Sequence, residues 1–148
     1  MQDLVTFMDK SRKKYLHIRF EECGLSFYEG IVMLVIENNL RSNQDNLSLL
    51  SGVDKFRMTR LMAALEEKDL IFRETNPSNK REKIVKLTKS GMDMASRLNE
   101  VMRDWRDICF EGFTQEEYDM LSRIMLRIAK NISNHEINGT SRREQLEL

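Results

Sequence analysis

Cysteine, histidine and proline are scarce in this chain: two, two and one among 148 residues. Cys23, Cys109, His17 and His135 fall on separate segments without ligand spacing, so neither a metal nor another cofactor is expected. Catalytic signatures are missing as well. There is no nucleophile–base pair at a recognisable spacing, no glycine-rich phosphate cradle and no metal-binding helix motif, so an enzyme is not expected. The carboxylates alternate with Lys and Arg along helical stretches, which is the patterning of a solvated face. No run approaches the roughly 20 apolar residues that span a bilayer. Asp9, Lys10, Arg12, Lys13 and Lys14 break up any signal-like apolar stretch near the start. A cytoplasmic protein with reduced thiols and no membrane contact is the expectation. The formal net charge of zero excludes a wholesale polyanion binder.

What is present is a mainly α-helical pattern with a local charge imbalance. The chain is 41% hydrophobic and 32% charged, enough for a core in a helix-rich protein. Residues 54–89 hold ten Lys or Arg against six acids, a net +4 that predicts one basic face. Residues 2–21 carry Leu4, Met8, Tyr15 and Ile18 at helical spacing. Ser26 followed by Glu29 is a capping box for a helix over 27–38, which is expected to bury Ile31, Leu34, Val35 and Tyr28. A polar loop spans Arg41–Asn46. Asn43 caps a short helix over 44–51, with Leu47 and Leu50 inward. Gly52 permits a sharp turn, because glycine takes positive φ without steric cost. Asp54 caps a helix over 55–67 whose core stripe is Met58, Leu61, Met62 and Leu65.

Two short strands come next, near 70–75 and 82–87, around the turn cluster Asn76-Pro77-Ser78-Asn79. Thr88 caps the next helix, although Gly91 weakens its first turn. Two long helices complete the pattern, the second opened by a Thr114/Glu117 capping box. Their apolar stripes, the latter through Leu121, Ile124, Ile128 and Ile132, exceed what the remaining chain can cover. A symmetric homodimer is therefore expected, built by these helices together with Leu4 and Met8 of the first.

Helix, turn, helix and basic hairpin in this order form a winged helix-turn-helix, a DNA-reading module. With Met58, Leu61, Met62 and Leu65 inward, the helical wheel turns Phe56, Arg60 and Ala63 directly outward, Arg57 to one flank and Lys55 and Thr59 to the other. Arginine and lysine suit guanine O6 and N7, and threonine suits a phosphate or base edge. Phe56 either meets a thymine methyl or folds back on its neighbours. In the wing loop, Lys80 and Arg81 fit the strongly negative minor groove.

The segments Gly52–Leu61, Leu65-Glu66, Leu70–Arg73, Asn76–Arg81 and Leu87–Gly91 resemble the winged-helix core of the MarR family of bacterial transcription regulators. Phe113–Glu117 and the helix after it resemble that family's last helix, so the likeness covers about 2–133. It implies a homodimer on a pseudo-palindromic double-stranded DNA operator. It also implies a repressor released by a small phenolic or anionic effector in a cleft between dimer helices and winged helix, and Arg81 as the minor-groove arginine. From position, His17, Phe27, Met33 and Arg73 are the candidate effector contacts. Two residues depart from the pattern. Asn79 replaces an aspartate that pairs with the wing arginine, and Phe56 replaces a small serine-like residue. Oxidation-sensing relatives carry their cysteine earlier in the first helix than Cys23, so both thiols are expected to be structural.

The expected organisation is a dimerisation helix over 1–24, the winged helix-turn-helix over 25–91, C-terminal dimerisation helices over 92–133 and a flexible tail over 134–148. The competing reading is a winged helix used for protein–protein contact without an operator. Lys55, Arg57 and Arg60 favour DNA.

Overall fold

The computed structural model describes residues 1–40 and 42–144. The elements are α1 (Gln2–Glu22), α2 (Phe27–Asn38), α3 (Gln44–Ser51), α4 (Lys55–Glu67), β1 (Ile71–Asn76), β2 (Asn79–Leu87), α5 (Lys89–Cys109) and α6 (Gln115–Glu144). The chain forms two compact units, Met1–Arg106 and Asp107–Leu148. Among the described residues, no helix is long and apolar enough to cross a membrane.

Capping side chains set the helix starts of the first unit. The Ser26 hydroxyl accepts from the Glu29 N–H, and the Glu29 carboxylate accepts from the Ser26 N–H, completing the capping box of α2. Asn43 caps α3 by accepting from the Asn46 N–H, and Asp54 caps α4 by accepting from the Arg57 N–H. Between α3 and α4 the chain turns at Gly52, whose φ of 69° lies in the left-handed region.

The core joins Leu16 and Phe20 of α1, Val32, Met33 and Ile36 of α2, Leu47 of α3, Met58, Met62 and Leu65 of α4, Ile71 and Val85 of the hairpin, and Leu98 and Val101 of α5. Two apolar faces differ from the expected ones. On α2 the buried residues are Val32, Met33 and Ile36, while Ile31, Leu34 and Val35 are half-buried and Tyr28 is exposed. On α3, Leu47 is buried but Leu50 faces solvent. On α1, Leu16 and Phe20 turn inward, and Leu4, Met8 and Ile18 turn outward.

Glu29 is buried at the α1–α2 turn and takes the Lys68 ammonium at 2.8 Å. Lys68 also donates to the Gly24 carbonyl, tying the end of α4 to this turn. Burial pushes the Glu29 carboxyl up, but the Lys68 ammonium and the Ser26 donors outweigh it and hold the group below the usual glutamate range.

β1 and β2 pair antiparallel from Ile71↔Leu87 to Thr75↔Lys83, then from Asn76 to Asn79. The register shift leaves Lys80, Arg81 and Glu82 as a bulge between the last two pairs. The Val85 N–H donates to the Ser42 carbonyl at 3.0 Å and fastens the hairpin to the α2–α3 connection.

Gly91 does more than weaken a helix start. A Cβ there would lie 1.9 Å from the Leu70 carbonyl oxygen, so only glycine lets α5 leave the hairpin this close to β1. The Thr88 hydroxyl donates to the Asp69 carbonyl at 2.6 Å and accepts from the Gly91 N–H at 2.9 Å, closing the same joint.

In the second unit Thr114 and Glu117 form the expected capping box of α6. Phe110 packs edge-on to Phe113 and Tyr118. α6 continues past the expected end at 133 to Glu144. Residues 145–148 of the expected tail, and Arg41 of the expected polar loop, lie outside the described residues.

Candidate nucleic-acid interface

α4 presents two unlike faces. Met58, Met62 and Leu65 are buried, while Lys55, Phe56, Arg57, Thr59 and Arg60 are all exposed on its first turns. Phe56, 69% exposed, is explained by its neighbour: the Arg60 guanidinium lies over its ring, 4.5 Å from the centroid. One helical turn separates the two, so the ring is a platform on which the guanidinium rests at the exposed face. The Arg57 guanidinium rests in the same way over Tyr28 of α2, at 4.6 Å.

Lys55 and Thr59 are engaged within the protein. Lys55 pairs with Asp45 at 3.0 Å, both side chains well exposed, so the pair is readily exchanged for another anion. The Thr59 hydroxyl donates to the Lys55 carbonyl and accepts from Gln44 at the start of α3. Thr59 therefore joins the two helices, a role its sequence position did not reveal.

Lys80 and Arg81, expected in a loop, stand in the bulge of β2, both exposed. No ion pair holds either side chain among the described residues. Asn79, which replaces the expected aspartate, accepts from the Arg81 backbone N–H at 3.2 Å. It thereby shapes the bulge without neutralising the arginine.

Sequence reading missed Glu82. Its carboxylate accepts from the Asn43 side chain at the start of α3 and from the Asn76 side chain at the end of β1. These two amides hold the carboxyl below the usual glutamate range, the Asn43 bond first. Asn43 thus caps α3 with its oxygen and fastens the wing with its nitrogen. The only trace in sequence is one acid directly after two bases at the hairpin tip.

The four expected effector contacts have different surroundings. Met33 is fully buried in the core. Arg73 pairs with Glu66 at 2.9 Å, exposed His17 lies beside Glu21 on α1, and Phe27 stacks on Phe20 and meets Tyr28 edge-on. The large cavity of the first unit is instead bounded by the end of α2, the hairpin and the start of α5, and none of the four lines it. Cys23 and Cys109 are both half-buried free thiols. Among the described residues, no cluster of His, Cys, Asp or Glu could hold a metal.

Solved structures share this arrangement along most of the chain. A crystal structure of MarR superimposes with a TM-score of 0.78 at 24% identity, covering 92% of each chain. The fold is that of the MarR regulators. The transcriptional regulator SlyA gives a TM-score of 0.77 at 21% identity, over 90% of this chain and 94% of that one. A MarR-family regulator from Listeria monocytogenes, solved in complex with a 26mer DNA, gives 0.78 at 22% identity, over 90% and 89%. The chain matches no protein-family model. Within the MarR fold, α3 and α4 form the helix-turn-helix and β1–β2 the wing.

Proposed function

We propose that this chain is a transcription regulator of the MarR type. It binds a pseudo-palindromic duplex operator as a homodimer in the bacterial cytoplasm and acts as a repressor released by a small-molecule effector. The observation that carries this reading is the outward face of α4, where Arg60 rests on Phe56 and stands exposed with Arg57 and Lys55. The wing next to it presents Lys80 and Arg81 without internal ion pairs among the described residues.

In this reading the first turns of α4 enter the major groove. Arg57 and Arg60 address guanine edges, each good pair contributing about 1–3 kcal/mol of discrimination. Arg81, with Lys80, reaches the adjacent minor groove. Dimerisation uses residues 1–24 and 92–133. Leu4, Met8, Ile124, Ile128 and Ile132 are exposed in the single chain and Leu121 is half-buried, a set that a second copy would remove from water. A two-fold dimer then sets its α4 helices about 34 Å apart, one duplex turn.

Selection of bound fragments from a random duplex pool tests the reading. A two-fold consensus with half-sites one turn apart is expected, with affinity falling steeply as salt rises through counterion release. A pool without enrichment and a flat salt response would instead identify a winged helix used for protein contact.

A further inference from the structure

The cavity beneath the wing has a composition of its own. It encloses about 1040 Å³, at the upper end of the roughly 300–1,000 Å³ typical of small-molecule sites. Its apolar wall comprises Ile36 of α2, Leu40 just after it, Ile84, Val85 and Leu87 of β2, and Met92 of α5. Three charged residues line it: Glu37, Glu74 and Lys86. Lys86 and Glu74 pair with each other across the hairpin and cancel, so the lining carries one net negative charge, that of Glu37. Glu37 has no cationic partner among the described residues. Its Oε2 accepts from the Asn99 side chain at 2.6 Å, which fixes the carboxylate while leaving Oε1 for a ligand.

We infer that this cavity binds a bulky apolar cation, with the hydrocarbon body against the α2–β2 wall and the positive centre facing Glu37. The charge is opposite to that of the anionic effectors the family resemblance suggests. An anion entering here meets a lining with two carboxylates, Glu37 and Glu74, against one ammonium, Lys86. Asn76 lines the cavity and also donates to Glu82, the carboxylate that Asn43 ties to α3, so a ligand touches a neighbour of the contact that fastens the wing. That regulatory consequence rests on the proposed DNA reading, whereas binding to the cavity does not.

The test is calorimetric titration of the full chain, without DNA, against tetraphenylphosphonium and tetraphenylborate, which share one shape and differ in the sign of charge. Saturable binding of the cation, one per chain, is expected, with no saturable binding of the anion up to roughly 1 mM. Glu37→Gln, which keeps the oxygen that accepts from Asn99, should weaken the cation about three- to ten-fold. Ser96→Asp, adding a carboxylate at an exposed lining position, should strengthen it by a similar factor. Met92→Trp, which fills the exposed mouth, should abolish binding. No saturable uptake of the cation, equal uptake of both ions, or indifference to Glu37→Gln and Ser96→Asp would overturn the assignment. Repeating the titration on the DNA-bound protein then reads the coupling separately, so a failure to bind DNA leaves the cavity result standing.

Discussion

Replacing Lys68 by Met should destabilise the first unit by about 2 kcal/mol. The Lys68 ammonium lies 2.8 Å from the Glu29 carboxylate and 3.1 Å from the Gly24 carbonyl oxygen. Removing one member of a fully buried pair costs about 3–5 kcal/mol, because the other charge is stranded. An exposed pair is worth about 0–1 kcal/mol. Here the Glu29 side chain is 7% exposed and that of Lys68 40%, and the Glu29 carboxylate keeps the Ser26 backbone N–H as a donor, so the cost lies between these limits. For a chain of this size that lowers Tm by roughly 4–8 °C. The pH dependence is the sharper signature. Glu29 titrates below its ordinary value of 4.5 in the folded protein, so its contribution is complete above that value and is lost as pH falls through the folded one. The gap between wild type and Lys68→Met is therefore widest near neutrality and closes in acid. Urea unfolding at about pH 7 and about pH 3.5, at one protomer concentration, measures both. In the Glu29→Gln background the Lys68→Met cost should shrink to a fraction of its value. A gap under about 0.5 kcal/mol, or one equal at both pH values, refutes the reasoning.

Gly91→Ala should cost at least about 2 kcal/mol in the same assay, because its Cβ would meet backbone at Leu70 and not a yielding side chain; a neutral result would mean that the start of α5 shifts freely. Glu82→Ala should speed amide exchange at residues 79–83 while leaving the core amides slow, since it frees the hairpin tip from Asn43 and Asn76; unchanged exchange would show that the clasp holds nothing. Arg60→Ala should weaken the selected operator roughly 5- to 150-fold and relax preference at one base pair, read by competition against mutated sites. Arg81→Ala should weaken all sequences alike and reduce the slope of log affinity against log salt by about 0.9; an unaltered slope would place Arg81 off the phosphates and grooves.

The residues that terminate helices made the fold legible. Ser26, Asn43, Gly52 and Asp54 placed α2, α3 and α4 at their observed limits, because a cap is a local event between residues two or three apart. Which face a helix buries was legible only where polar residues mark the opposite side. α4 alternates basic and apolar residues, and its stripe was read from sequence. α2 is apolar around its circumference, so the phase through Ile31, Leu34 and Val35 competed with the observed phase through Val32, Met33 and Ile36. The cationic face of the candidate interface came from the same wheel. Its fine arrangement did not, because the Glu82 contacts with Asn43, the Gln44 contact with Thr59 and the Tyr28 platform under Arg57 join residues brought together only by the tertiary fold. The residues that line the cavity were not legible for a related reason: a cavity is defined by where packing stops, and no single segment records that.

The joint at Thr88 and Gly91 leaves no slack between the wing and α5. With the threonine hydroxyl gripping the Asp69 carbonyl and bare glycine flush against Leu70, β1 and the first turn of α5 move as one piece. Tilting the hairpin by a few degrees must swing that turn by the same angle, as the two arms of a bell crank share one pivot.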